Sequence, residues 1–583
     1  GVSSSYFYFL EHKEPHCDCS LPTLVYLKCS IIIIQPSTMG FRRMLGPRLL
    51  LPLILSQWPP ISSAERGTIL YSPMTGEQQQ HVFTWTGDKP QDLSAATDTT
   101  YLQLSLKHEL TKRLSPEARI VLQGEEDFAQ FDARYTNYKR PQYILAVEVA
   151  EEQDIVETVN YARSRGIQFA ARSGGHSLTT SLRGIKSGIV INVRKLNHAK
   201  YNHQKRQMTV GGGISTGEFA NATYANGMEV TVGSCPCTGV LGVSLGAGIG
   251  RLQGKYGYLN DNMVSIRLLL ANGTIIEASE DSNQDLFWAV RGAGHNFGIA
   301  LEATYQVYPQ QNNGKHFVID WEFEVDQVEG IFEALNAISN PMPAEVAVFV
   351  IGRRRGFNKQ PTININLVYS GPEEEAIPFQ EPFDRLSPVW KEAKVATWDA
   401  LPWATYNGLN NILCTPQGWA RFPIKNFYAA NVEKYDIPTM RDYFNGWRSM
   451  NQKYDGDAVF SVMFESFPQQ GVREKADDAT AYPWRHGSDH FLMVEAAYKN
   501  PVNEDLIDGW LSKQQDAFIA TSGYGRLQQY VNYGHGSKDS PEALYGYEPW
   551  RLDKLRRLKK EFDPEGLFNG YQPFVEEQKL GSE

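Results

Sequence analysis

The chain has 583 residues, of which 42% are hydrophobic and 12% aromatic, and its 56 basic and 66 acidic side chains leave a formal net charge of −10. Such a chain buries large cores in more than one domain, and its composition excludes disorder. The acidic balance, with no motif that reads DNA or RNA, excludes a nucleic-acid partner.

Residues 1–38 carry no amphipathic pattern and read as a non-native extension. From Met39 the text becomes "MGFRRMLGPRLLLPLILSQWPPISSA": Arg42, Arg43 and Arg48, then an apolar run Leu49–Leu55, then the small residues Ser62 and Ala64. This is the layout of a secretory signal peptide over 39–64. The run is far shorter than the roughly 20 residues of a spanning helix, so a secreted protein without membrane attachment after cleavage is expected. Cys17, Cys19 and Cys29 fall in the extension, leaving Cys235, Cys237 and Cys414. An odd count in a secreted chain calls for a thiol with another job. Asn221-Ala-Thr and Asn272-Gly-Thr are acceptors for N-glycosylation.

Residues 65–138 form a lead-in, polar at first and then helical near Leu102–Leu114. "YILAVEVA" predicts a strand, "EEQDIVETVNYARSRG" a helix with Ile155, Val159 and Ala162 on one face, and "IQFAARS" a second strand. "GIVINV" and "QMTVGGG" add strands, and "SIRLLLANGTIIEAS" predicts a hairpin around Asn272-Gly273. After Pro309 the pattern shifts to longer alternating strands, "KHFVIDWEFEV" and "PTININLVY", mixed with helices, which predicts a second α+β domain. A helix, "PWRLDKLRRLKKEF", and the compact "DPEGLFNGYQPF" close the chain.

The second strand breaks into Arg172-Ser-Gly-Gly-His-Ser177. Glycines there let successive backbone N–H groups approach a pyrophosphate, or simply make a turn. No G-x-G-x-x-G opens a helix after the first strand, which disfavours a standard dinucleotide fold. Cys235 and Cys237, two apart, could close a small ring, bind metal, or leave one thiol inert. A zinc site would want about four ligands, which the neighbourhood lacks, so no metal is expected.

Five blocks together resemble the FAD-linked oxidases of the berberine-bridge-enzyme type: "RSGGHS" at 172–177, "GSCPCTGVLGVSLGAGIGRLQGKYG" at 233–257, "DLFWAVRGAGHNFGIALEATYQVYP" at 285–309, "YVNY" at 530–533 and "FDPEGLF" at 562–568. They keep the family's order across about 105–575. The resemblance implies an α+β fold: a PCMH-type FAD-binding domain of two α/β subdomains over 139–309, a substrate domain with an antiparallel sheet flanked by helices over 310–520, and a segment, 521–583, that completes the first domain. It implies that Arg172, Ser173, Gly174, Gly175 and Ser177 hold FAD and that His176 is bonded to the flavin 8α-methyl. That methyl is acidic through conjugation with the ring, and its quinone-methide tautomer accepts an imidazole nucleophile. Gly242, Gly298, Ile299 and Asn532 fall at further cofactor-binding positions. Cys235 aligns with the cysteine that bicovalent members bond to flavin C6, but the family's Cys-Pro-Thr-Val-Gly is here Cys-Pro-Cys-Thr-Gly, and one or two flavin bonds both stay open.

"YVNY" aligns Tyr533 with a catalytic tyrosine. In "HFLMVEAAY", Phe491, Met493 and Glu495 share a strand face, and a carboxylate on an otherwise apolar face is either solvated at a rim or used. Tyr533 is expected to be the base, with Glu495 binding substrate or assisting, because a phenol of pKa about 10 needs help to lose its proton. In the resembling family the residue three places after the aligned cysteine, here Thr238, is valine in oxidases and leucine or isoleucine in dehydrogenases. Threonine is isosteric with valine but must find a partner for its hydroxyl. His295 is either near the adenosine of FAD or a plain loop histidine. Cys414 is expected to be a buried thiol, and "RRR" at 353–355 and "EEE" at 373–375 solvated surface.

The expectation is a secreted, monomeric, FAD-dependent oxidase. It would carry out two-electron oxidation of an alcohol, amine or activated C–H in a specialised metabolite, with dioxygen reduced to hydrogen peroxide. Oligosaccharide reducing ends are the competing substrate, and a flavin-loaded secreted binding protein without turnover is the competing class.

Overall fold

A computed structural model describes residues 68–71, 81–84, 99–355, 360–486, 489–536 and 538–575. The expected extension, the signal peptide and most of the polar lead-in lie outside the described residues. Thr68–Tyr71 and His81–Thr84 pair antiparallel within a separate amino-terminal unit, and everything below concerns the unit from Ala96 onward.

The first sheet has strands β1 (Arg119–Leu122), β2 (Tyr143–Glu148), β3 (Phe169–Arg172) and β4 (Gly188–Asn192) in the order β1-β2-β4-β3. β1 is antiparallel to β2, whereas β2, β4 and β3 run parallel. Parallel strands are covered on both faces, so β2 reads Tyr-Ile-Leu-Ala-Val without alternation and is buried along that run. Helix α1 (Glu152–Ser164) crosses from β2 to β3. Its first turn is tied down by Asp154, whose carboxylate accepts from the N–H groups of Ala150 and Glu151, and the chain leaves it through Gly166 at φ +64°. Ile155, Val159 and Ala162 bury one face against the sheet, as the spacing predicts.

A second, antiparallel sheet has β5 (Ala199–Asn202), β6 (Gln207–Gly211), β7 (Met263–Leu269), β8 (Ile275–Ser279) and β9 (Ile299–Gln306) in the order β8-β7-β9-β6-β5. The β7–β8 hairpin turns at Gly273, φ +82°, where the Asn-Gly signal falls.

The third sheet has seven antiparallel strands: β10 (Lys315–Glu324), β11 (Val346–Arg355), β12 (Gln360–Tyr369), β13 (Trp390–Thr397), β14 (Ile424–Val432), β15 (Ala458–Ser466) and β16 (His490–Tyr498), ordered β13-β10-β12-β11-β15-β16-β14. One face packs on helices α2 (Val328–Ile338), α3 (Ile437–Lys453) and α4 (Glu504–Ala520), with Val348, Val350, Phe464 and Val494 in one core with Phe332, Trp447 and Phe518. The opposite face carries Phe349, Ile351, Met463, Glu465, Met493 and Glu495, and it closes the cavity described next. Helix α5 (Pro549–Phe562) returns the chain to the second sheet through Leu552, Leu555 and Leu558.

A buried ion pair ties the β15–β16 connection to the turn before β7. Arg485 Nη2 and Nη1 donate to Asp261 Oδ1 and Oδ2 at 2.6 and 3.0 Å, with both side chains at most 2% exposed. Arg485→Met keeps the apolar stem but leaves a buried, unpaired carboxylate, so it should destabilise the fold by about 3–5 kcal/mol. Arg485→Met/Asp261→Leu should recover most of that loss. Chemical denaturation of the three proteins checks both.

Candidate active site

The loop after β3 leaves the carboxyl end of a parallel strand, the end at which such sheets open their crevices. Gly175 sits at φ +72°, and a Cβ on Gly174 would stand 2.6 Å from the Cys237 carbonyl oxygen. Both positions therefore require glycine, and their smallness lets the histidine loop lie against the cysteine loop. The two loops, the Gly298 turn and the free face of the third sheet enclose one cavity of about 1080 Å³. Arg172, Ser173, Gly174, Gly175, His176, Ser177, Cys235, Thr238, Gly242, Gly298, Ile299, Asn532, Tyr533 and Glu495, singled out from sequence, all line it.

Tyr533 does not meet Glu495. Its hydroxyl donates to Glu465 Oε2 at 2.8 Å, a partner the sequence reading missed. The register gives the reason. Glu465 pairs across with Phe349 and Phe491, the next row is Ile351, Met463 and Met493, and the row beyond is Ser461, Glu495 and Phe427. The two carboxylates are thus four residues apart along the strand direction, about 13 Å at the usual rise. Between its phenylalanine neighbours Glu465 is pushed up to about 7 by burial, with the Tyr533 hydrogen bond and the charge of Arg251 pulling the other way. Burial also pushes the Tyr533 phenol well up, and Glu465 adds to it. Tyr533 is therefore protonated at rest, with a carboxylate in place to take its proton.

Glu495 belongs to another group. Its Oε2 accepts from Tyr135 at 3.4 Å, and burial raises its carboxyl to about 7 against the pull of Lys425. Tyr135 stacks on His176 with centroids 5.0 Å apart, and Trp419 stands edge-on to the imidazole at 5.1 Å. The expected assistance of Tyr533 by Glu495 is thereby replaced by Glu465, and Glu495 faces the histidine end of the cavity.

Cys414 is not a thiol. It is joined to Cys237 across 177 residues, Cα to Cα 5.7 Å, which also decides between the alternatives for Cys235 and Cys237: no ring closes between them. Among the described residues Cys235 is the free cysteine, its Sγ 3.4 Å from that of Cys237, and burial raises its thiol to about 11. His176, Cys235 and Cys237 gather like a metal-ligand set, but a disulfide sulfur offers no thiolate.

The Thr238 hydroxyl finds its partners in the Cys235 carbonyl at 3.0 Å and the Thr216 hydroxyl at 2.8 Å. Arg353 is not solvated surface: its guanidinium turns inward to pair with the fully buried Glu322 and donates to the Tyr406 carbonyl. Glu373, Glu374 and Glu375 are exposed, as expected.

Five polar atoms on the cavity wall, Asp132 Oδ1, Arg134 Nε, Ser173 Oγ, Ser177 Oγ and His295 Nδ1, are buried without a hydrogen-bond partner. His295 Nε2 lies 2.8 Å from the Gly242 carbonyl and donates to it, leaving Nδ1 as an acceptor, and the ring stacks on Tyr571. Orphaned hydroxyls, a guanidinium N–H, and imidazole and carboxylate acceptors in one cavity fit a polar cofactor such as FAD. The volume exceeds the roughly 300–1,000 Å³ of ordinary ligand sites, as a cofactor with a substrate requires.

Comparison with known proteins agrees. Residues 143–279 match the FAD binding domain family. The FAD-linked oxidoreductase alt4 of Alternaria solani is 47% identical over 486 residues, 82% of this chain and 98% of that protein. Among solved structures, Physcomitrella patens BBE-like 1 superposes with a TM-score of 0.69 at 21% identity over 81% of this chain and 99% of that one. A xylooligosaccharide oxidase from Myceliophthora thermophila gives 0.68 at 21% identity, over 81% and 98%.

Because the folded-state pKa of Glu465 lies above its ordinary value, the native state binds a proton that the unfolded chain has released between about pH 4.5 and 7. Stability is therefore lost as pH rises through that window. Glu465→Gln escapes the loss. The variant should gain about 2–3 kcal/mol over wild type at pH 8 and much less at pH 5. Thermal unfolding of cofactor-loaded protein at both pH values measures it.

Proposed function

Since the chain belongs to the berberine-bridge-enzyme-like FAD-linked oxidoreductases, we propose that it is a secreted oxidase that takes two electrons from an alcohol, amine or activated C–H of a specialised metabolite. The observation that carries this reading is the 2.8 Å hydrogen bond from Tyr533 to Glu465 in the cavity that His176 also lines. When bound, FAD supplies the hydride acceptor, and dioxygen then removes the electron pair as hydrogen peroxide. The loop from Arg172 to Ser177 holds the cofactor, and His176 is its covalent anchor. Tyr533 accepts the substrate O–H or N–H proton as it passes its own to Glu465, so that no phenolate has to persist in a dry site. The Arg251 guanidinium helps Glu465 to ionise near neutrality.

The apolar row Ile351, Met463 and Met493 next to Glu465 favours an apolar ring system over a sugar, whose hydroxyls it could not satisfy. A mere flavin-loaded binder has no use for a carboxyl tuned near 7 against a phenol. Secretion is supported by the layout of residues 39–64, by a disulfide, which persists in oxidising compartments, and by the exposed sequon asparagines Asn221 and Asn272.

Anaerobic mixing with a panel of phenolic, allylic-alcohol and amine metabolites should bleach the flavin absorbance, and the bleaching rate should rise with pH through about 7. Glu465→Gln should abolish that limb and slow bleaching by about 10²–10⁴-fold. Glu495→Gln should keep it. Bleaching by oligosaccharides alone would reassign the substrate, and colour that no compound bleaches would favour the binder.

Thr238, its hydroxyl bonded away, leaves the space a valine would leave. Thr238→Leu should slow reoxidation of the reduced protein by dioxygen at least tenfold while changing its reduction by substrate far less. Stopped-flow mixing with oxygen decides, and a leucine variant as fast as wild type would overturn the oxygen-gate reading.

A further inference from the structure

His176 Nε2 lies 3.1 Å from Cys237 Sγ. Because Cys237 is bonded to Cys414, that sulfur carries no proton and can only accept. Beside Tyr135 and Trp419 the imidazole is neutral: burial lowers its pKa to about 3, and the charges of Arg172 and Lys425 push the same way. A neutral imidazole has one N–H, and which nitrogen carries it is set by the partner of that nitrogen. Facing an acceptor, Nε2 carries the hydrogen. Nδ1 then holds the lone pair, and among the described residues it has no hydrogen-bond partner.

We propose that the Cys237–Cys414 disulfide is a positioning group for covalent flavin attachment: by accepting the hydrogen bond from Nε2 it fixes the tautomer and orientation of His176, so that Nδ1 is the attacking atom. The inference rests on the reading of His176 as the flavin anchor. In that step a C–N bond forms from Nδ1 to the flavin 8α carbon, while one 8α C–H bond and the Nε2–H bond break. Two electrons stay on the isoalloxazine, and dioxygen takes them with the two protons to become hydrogen peroxide, which returns the flavin to its oxidised form. Cys235 cannot replace the disulfide, because a thiol donates as well as accepts and would leave both tautomers populated. The same covalent clasp pins the cysteine loop to the 410–418 segment, so the acceptor cannot drift from the ring.

The test uses apoprotein from riboflavin-starved cells, given FAD in air. Non-covalent binding is read from flavin fluorescence, attachment from acid-stable flavin against time, and the linkage nitrogen from NMR of the isolated His176 flavin peptide. Wild type should attach flavin wholly through Nδ1. Cys237→Ala/Cys414→Ala should still bind FAD but attach it at least tenfold more slowly, or show a fraction linked through Nε2. If the variant does not accumulate, wild-type apoprotein whose disulfide has been reduced with dithiothreitol is put through the same assay. Attachment slowed less than tenfold and wholly through Nδ1, or slowed only in proportion to weakened FAD binding, overturns the disulfide's role. Wild type without acid-stable flavin on His176 refutes the anchor itself, a separate result.

Discussion

A seven-stranded sheet seats only alternate side chains on each face, and this two-residue period decides which ionisable groups meet the cavity. On the helix side most of the face is apolar: Val348, Val350, Phe464, Leu492 and Val494 are buried in one core, with Ser466, His490 and Asn426 as the buried polar members of that face. On the other side the apolar pattern is broken at several places, at Asp320, Glu322 and Arg353 and again at Glu465 and Glu495, with an apolar row between the last two. A carboxyl between Phe349 and Phe491 has lost much of its hydration, and its proton affinity rises until it suits a phenol partner. The free energy that burial costs Glu465 is what holds its carboxyl near 7, the range the proposed proton transfer from Tyr533 calls for.

The opposite wall of the cavity depends on close approach rather than on burial. With no Cβ at Gly174, the backbone from Cys237 to Gly239 comes within van der Waals reach of the histidine loop. That approach brings the Cys237 sulfur to the imidazole, and the bond to Cys414 ties the pair to a segment whose Leu409, Asn410 and Ile412 line the same cavity. Three stretches distant in sequence thus hold one ring in place. A histidine fixed only by its own loop would be free to flip, and a flipped ring would offer the other nitrogen.

Much of this was legible in the residues. Local periodicity marked β2, α1 and β3, the hairpin at Gly273 and helix α5, and the glycine loop together with the resemblance marked every cavity position named from sequence. Tertiary pairing was not legible. "FSVMFES" carries a carboxylate on the free face of its strand just as "HFLMVEAAY" does, yet only Glu495 was singled out, and alternation alone could not choose between the two; the register and the return of the 530s loop assign Tyr533 to Glu465. Arg353 sat in a run of three arginines and read as surface, although its alternation with Phe349 and Ile351 points it at the cavity. Cys414 had no local signal at all, because a disulfide partner 177 residues away leaves no pattern in the chain around it.

The departure from the family's Cys-Pro-Thr-Val-Gly then reads as two coupled changes rather than two independent ones. Cysteine at 237 removes a hydroxyl from the turn and supplies the sulfur that reaches both Cys414 and His176. Threonine at 238 returns a hydroxyl one place later, where it bonds back to the Cys235 carbonyl and across to Thr216, pinning the turn that presents both cysteines. Valine at 238 would fill the same volume at the cavity wall but make neither bond, leaving the turn to Pro236, the disulfide and the backbone bonds from Thr216 and Gly217 to the Thr238 and Pro236 carbonyls. The polar atom that looked out of place in an apolar pocket is thus directed into the turn, leaving the cavity with the shape of a valine site and the cysteines with a rigid support.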